Sequence, residues 1–76
     1  MPRFPVTSGD QAIKVFEHLG YSVTRQRGSH VRLHHPTDPA RKPLAVPRHR
    51  ELGRGLLRKL LRDASITLED FSRLLS

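Results

Sequence analysis

At 76 residues, the chain is long enough for one small domain over residues 1–76 and too short for two hydrophobic cores. It has no cysteine, which excludes disulfides and thiolate metal sites, and no apolar run of the ~18 residues that a membrane span needs. Fourteen Lys and Arg residues against seven Asp and Glu give a net charge of +7, which indicates a polyanionic partner. Because the amino terminus lacks an apolar signal segment, we expect a cytoplasmic protein.

The first predicted element is a helix near the amino terminus. Ser8 is a suitable N-cap, and apolar residues then recur at helical spacing as far as Leu19. Gly20 follows, in the position where helices commonly end. The pattern therefore predicts a helix that begins after Ser8 and ends at Gly20.

Two strands are predicted next. Residues 21–27 are rich in β-formers, Arg27-Gly28 predicts a short turn, and residues 29–35 form a second, antiparallel strand. Strict alternation in the first of these strands predicts that Val23 and Arg25 share one face.

The second half of the chain predicts one more strand and two helices. Residues 36–43 contain three prolines and form a loop, and residues 44–46 form a short strand that ends at Pro47. A leucine-rich helix begins after Gly55 as its cap, and Thr67 caps a last helix. The order α-β-β-β-α-α predicts an α+β fold, with helices on one face of a three-stranded antiparallel sheet.

The second strand carries the residues of chemical interest. Val31 and Leu33 alternate with His30, Arg32 and His34, so a half-buried strand would present these three polar residues together on its solvent face. Imidazole transfers protons near neutral pH, and guanidinium binds phosphate. This combination favours a site that acts on a phosphodiester.

Several short segments of the chain form a recognisable combination. They are Gly20-Tyr21, Arg25-Gln26-Arg27-Gly28-Ser29-His30, His35-Pro36, Val46-Pro47-Arg48-His49, Glu51-Leu52 and Thr67-Leu68-Glu69-Asp70-Phe71. Together they resemble one known family, the HicA toxins of bacterial and archaeal toxin–antitoxin systems. The resemblance extends from about Ser8 to Leu75. Gly53 and Gly55-Leu56-Leu57 depart from the family, in which a lysine and a Gly-Thr-Leu are usual.

The resemblance implies a fold like that of double-stranded-RNA-binding domains. It implies metal-independent cleavage of mRNA without a cofactor, and inhibition by a HicB antitoxin. It places the catalytic histidine at His30, with Gly28 and Ser29 before it.

Other residues are candidates for supporting roles. Arg27, Arg32 and Lys42 are candidates to bind RNA phosphate, and His34 and His49 to carry a second proton. A metal site built from His30, His34, Asp38 and His49 is disfavoured, because strand residues four apart lie about 13 Å apart.

A non-catalytic alternative uses the same features. The predicted fold and basic surface also suit a module that binds double-stranded RNA by its shape and 2′-hydroxyls. In that case His30 is an ordinary surface histidine, and binding depends on Lys and Arg.

Overall fold

The computed structural model describes residues 3–75. Its elements are α1 (Gly9–His18), β1 (Ser22–Arg27), β2 (His30–His34), β3 (Leu44–Pro47), α2 (Arg54–Asp63) and α3 (Leu68–Leu75). The strands form one open antiparallel sheet in the order β1-β2-β3, which confirms the predicted small α+β fold. None of the described helices is long and apolar enough to cross a membrane.

Helix α1 has the predicted ends. The Ser8 hydroxyl accepts a hydrogen bond from the Gln11 N–H (3.1 Å), and the Gln11 side chain accepts one from the Ser8 N–H (2.9 Å). This reciprocal pair is a capping box. Gly20 has a φ of +102°, and the Tyr21 N–H donates to the Phe16 carbonyl (3.1 Å), which closes the helix in a Schellman motif.

The core lies between the inner face of the sheet and the helices. The Phe16 ring is near its centre, with its centroid 5.9 Å from that of Tyr21 and 5.8 Å from that of Phe71. The aliphatic residues buried around it include Val31, Leu33, Leu44, Val46, Leu57, Leu60 and Leu61. Because each fully buried side chain of this kind contributes about 1.5–3 kcal/mol, this cluster is the main source of stability.

Helix α2 begins earlier than predicted, whereas α3 begins where predicted. Gly53 is the N-cap of α2 and Gly55 lies inside its first turn, although the sequence predicts Gly55 as the cap. Burial of the leucine stripe stabilises the helix enough to include a glycine that propensity alone disfavours. At α3, the Thr67 hydroxyl accepts a hydrogen bond from the Asp70 N–H (3.1 Å), as expected for an N-cap.

Two buried polar side chains join the end of α1 to the loop between β2 and β3. The Tyr21 hydroxyl donates to the Lys42 carbonyl (2.7 Å). His35 donates from Nε2 to the Leu19 carbonyl (2.8 Å) and accepts at Nδ1 from the Asp38 N–H (3.0 Å). His35 therefore has a structural role, and burial raises the pKa of Tyr21 above its ordinary value of 10.0.

The Tyr21→Phe variant is expected to lose about 1 kcal/mol of unfolding free energy, because the Lys42 carbonyl loses its buried donor. The variant also tests the pKa of Tyr21. A raised folded-state pKa means that the protonated phenol stabilises the fold fully below about pH 10 and that this stabilisation is lost as the pH rises through the folded-state value.

Urea denaturation at a series of alkaline pH values measures this difference. Above about pH 10, the wild type should lose stability more steeply with pH than Tyr21→Phe. Tyr21 is the only tyrosine and the chain has no tryptophan, so its phenolate absorbance reports the titration directly. Parallel alkaline stability curves for the two proteins would contradict the assignment.

Candidate nucleic-acid interface

The outer face of the sheet, opposite the core, carries the residues singled out in β2. Val31 and Leu33 are buried, whereas His30, Arg32 and His34 are exposed, which confirms the predicted period of two. β2 is the central strand and pairs on both sides, so its register is fixed by two ladders. His30 therefore faces solvent rather than the core.

A β-bulge in β1 brings another arginine to the outer face. Val23 pairs with Leu33 and Arg25 pairs with Arg32, so Thr24 is the extra residue between them. Directly opposite residues share a face, which places Arg25 beside Arg32 on the outer side. The prediction that Val23 and Arg25 share a face is wrong, because it assumed a ladder without a bulge.

These side chains line a surface depression of about 190 Å³. Its lining residues are Arg25, Arg27, His30, Arg32 and Ala45. Arg27 is the direct cross-strand partner of His30, which places their Cβ atoms about 5 Å apart. We refer to Arg25, Arg27, His30 and Arg32 as the His30 cluster.

The His30 cluster has no acidic partner within residues 3–75. The ion pairs of this part of the chain are Arg41–Asp38, Arg48–Asp10, Lys59–Asp63 and Arg73–Asp70. The three guanidinium groups of the cluster are exposed, and each presents N–H donors in a planar array that matches phosphate oxygens. The cluster is therefore suited to bind an anion.

The hairpin turn fixes Ser29 beside the cluster. Gly28 has a φ of +59° and is the first of two turn residues, as in a type II′ turn, so the turn lies one residue later than the predicted Arg27-Gly28. The Ser29 carbonyl accepts a hydrogen bond from the Arg48 N–H (2.6 Å). The Arg48 side chain donates a hydrogen bond from Nε to the Asp10 carboxylate in α1 (2.8 Å). This bond holds the pKa of that carboxyl below its ordinary value of 3.8.

One known protein family matches most of this chain. The sequence model of the HicA toxin of bacterial toxin–antitoxin systems matches residues 9–66, from the start of α1 through the turn after α2. The chain belongs to the HicA toxin family. It is thus a toxin of a toxin–antitoxin system, and the resemblance inferred from its sequence is confirmed. No curated protein shows a significant match to the chain.

Three residues predicted for the site of this HicA toxin lie outside the His30 cluster. His34 is on the same face, but four residues along β2 separate it from His30 by about 13 Å. Lys42 lies just before the start of β3, whereas Pro47, the cross-strand partner of His30, lies at the other end of that strand. His49 is exposed in the connector after β3. The cluster therefore combines one histidine with three arginines.

The described residues do not assemble the metal site considered from the sequence. Within residues 3–75, no three His, Asp or Glu side chains are grouped so that they could hold an ion. The Asp38 carboxylate instead accepts a hydrogen bond from the Ala40 N–H (2.9 Å) and pairs with Arg41 (3.4 Å).

A larger surface cavity of this HicA toxin, about 370 Å³, lies away from His30. It separates α1 from the inner side of β1, and its apolar lining comes from Ile13, Val23 and Val31. The Asp10–Arg48 ion pair lies at this cavity, and the lining has no histidine. The smaller depression at His30 is therefore the better candidate for phosphodiester chemistry, despite its size.

The Gly28→Ala variant is expected to lose about 1 kcal/mol or more of unfolding free energy, because an L side chain is strained at a φ of +59°. Gly55→Ala is the matched control. At both positions an added Cβ has no atom within 4 Å, but only Gly28 has a positive φ.

The unfolding free energy of Gly55→Ala is accordingly expected to rise by about 0.5–1 kcal/mol, since alanine is the better helix former. Urea denaturation of both variants measures the two effects. A gain or no change in Gly28→Ala would show that the turn does not need a left-handed residue.

Proposed function

We propose that this HicA toxin is a metal-independent endoribonuclease that cleaves mRNA and that His30 is its general acid or base. The proposal is supported by the His30 cluster, in which an exposed imidazole lies among three guanidinium groups on the open face of the sheet. Membership in a toxin family adds support, because cleavage of mRNA stops protein synthesis and therefore growth.

The reaction needs few protein groups because RNA carries its own nucleophile. The 2′-hydroxyl attacks the adjacent phosphorus, a new oxygen–phosphorus bond forms, and the bond to the 5′-oxygen breaks. The products are a 2′,3′-cyclic phosphate and a 5′-hydroxyl. One proton leaves the 2′-oxygen and one reaches the 5′-oxygen; His30 carries out one of these transfers and water the other.

The arginines of the cluster hold the phosphate during this step. The phosphorane has more negative charge on its oxygens than the ground state, so fixed cations stabilise it selectively. Arg27 and Arg32, which the sequence predicts, share this role with Arg25, which the bulge adds. Gly28 leaves open space at the turn, so RNA can approach Ser29 closely.

A HicB-like antitoxin is the proposed protein partner. A toxin with this charge presents an exposed cationic face that an acidic protein surface complements. An antitoxin that covers the outer face of the sheet blocks His30 and neutralises the three cluster arginines at the same time.

His30→Ala is expected to cleave RNA about 10²–10⁴-fold more slowly than the wild type, with RNA binding largely retained. The measurement is a single-turnover cleavage assay with purified protein in EDTA, with the cyclic phosphate product identified. His18→Ala, which removes another exposed histidine, is the control and should cleave at the wild-type rate. Equal rates for His30→Ala and wild type would remove His30 from the mechanism. A wild type that binds RNA but never cleaves it would favour the non-catalytic double-stranded-RNA-binding alternative.

A substrate with sulfur in place of the bridging 5′-oxygen separates the two possible roles of His30. A thiolate leaves without protonation, so His30→Ala should recover the wild-type rate on this substrate if His30 is the general acid. If His30 is the general base, the defect should persist, because the 2′-hydroxyl still has to lose its proton.

Expression of the wild-type toxin alone in bacteria is expected to arrest growth, whereas folded His30→Ala should not. Colony counts after induction measure this, with protein levels checked in both strains. Normal growth in the presence of abundant, folded wild-type protein would refute the proposed activity.

A further inference from the structure

A second basic surface lies on the exposed side of α2. The helix packs Leu57, Leu60 and Leu61 into the core against the inner face of the sheet, so its exposed side points away from the sheet. The exposed cations on this side are Arg54, Arg58, Lys59 and Arg62. This surface and the His30 cluster are therefore on opposite sides of the sheet.

Three of these cations form a regular stripe. Arg54, Arg58 and Arg62 are spaced by four residues, which is a rise of about 6 Å per step along one side of the helix. Lys59 pairs with Asp63 (3.2 Å), but none of the three arginines has an acidic partner within residues 3–75. We refer to Arg54, Arg58 and Arg62 as the α2 stripe.

The α2 stripe destabilises the helix that carries it. Like charges four residues apart repel each other, and Arg54 lies in the first turn, where the helix dipole favours acidic residues. Both α1 and α3 have acidic residues in their first turns and follow this rule. The repulsion within the stripe is relieved when an anion lies along it.

The amino-terminal segment orders two arginines of the stripe. The Phe4 ring lies 5.8 Å from the Arg54 guanidinium carbon and 5.6 Å from that of Arg58. A hydrogen bond from the Leu52 N–H to the Thr7 carbonyl (2.8 Å) fixes this segment against the start of the helix. Guanidinium groups already held in place lose less conformational freedom when they bind a ligand.

We propose that the α2 stripe binds the phosphate backbone of the RNA substrate at a distance from the cleavage site. The inference rests on the proposed nuclease function and adds a second RNA contact to it. Evenly spaced cations without exposed apolar residues between them match a polymer of evenly spaced anions, whereas a protein interface normally has an apolar centre. Because the two surfaces are on opposite sides of the sheet, only an RNA long enough to pass around the β3 edge contacts both.

The test compares two double variants that both reduce the net charge from +7 to +5. Arg58→Gln/Arg62→Gln removes two stripe arginines, and Lys14→Gln/Arg73→Gln removes two exposed cations from α1 and α3. The ligand is a long unstructured RNA with 2′-O-methyl groups, which cannot be cleaved, and its affinity is measured over a range of salt concentrations. Thermal melts confirm that both variants fold.

The stripe variant is expected to flatten the slope of log affinity against log salt by about 1.4, because each of its two lost phosphate contacts contributes about 0.7 to the slope. The control variant should keep the wild-type slope. On cleavable RNA, the stripe variant should raise KM for the long RNA and leave cleavage of a trinucleotide unchanged.

Equal effects of the two double variants, or none, would overturn the inference, since only net charge would then matter. Loss of binding to an acidic antitoxin with normal RNA binding would overturn it as well and assign the stripe to a protein partner. If the wild type cleaves RNA and the stripe variant behaves like the wild type, this inference is refuted and the proposed nuclease function is not. If the stripe variant flattens the salt dependence of RNA binding but the wild type cleaves no RNA, only the proposed nuclease function is refuted.

Discussion

Burial of Val31 and Leu33 is the constraint on which the rest of the structure depends. Both residues lie on the inner face of the central strand, where Val46 and Leu44 are their β3 partners. A shift of one residue in β2 would expose both and would bury Arg32 without an ion-pair partner, at a cost that a domain of this size cannot offset. The hydrophobic core therefore determines which side chains of β2 face solvent, and with them the position of His30.

The cations within residues 3–75 divide into those that have acidic partners and those that do not. Four of the acidic residues pair with cations. Asp10 pairs with Arg48 between α1 and the segment after β3, and the other three pair with cations three or four residues away in the chain. Ion pairs near the surface are screened by solvent and contribute little stability, so these pairs matter more because they neutralise charge. The cations left without acidic partners include the arginines of the His30 cluster and of the α2 stripe. Six of the unpaired cations within residues 3–75 thus lie on these two surfaces.

This arrangement has a consequence for a toxin that exists with an antitoxin. A small domain with unpaired clusters of like charge is destabilised by self-repulsion, and any anionic partner that binds only the folded form stabilises it. The proposed RNA substrate and the proposed acidic antitoxin would both have this effect, and they would compete if both bind the outer face of the sheet. Open access to this face follows from the fold, since the helices all pack on the other side.

The sequence by itself determined the order of the elements, the caps at Ser8 and Thr67, the solvent-facing position of His30 and the family. The caps and the position of His30 depend on residues within a few positions of one another, and the family is inferred from several such short segments along the chain. Only the tertiary structure decided that Thr24 forms a bulge and that Arg25 joins the cluster, that the depression at the cluster is not lined by His34, Lys42 or His49, and that Phe4 packs on α2. A bulge interrupts the alternation on which a sequence pattern relies, and contacts between distant segments depend on how the core packs, which no local pattern encodes.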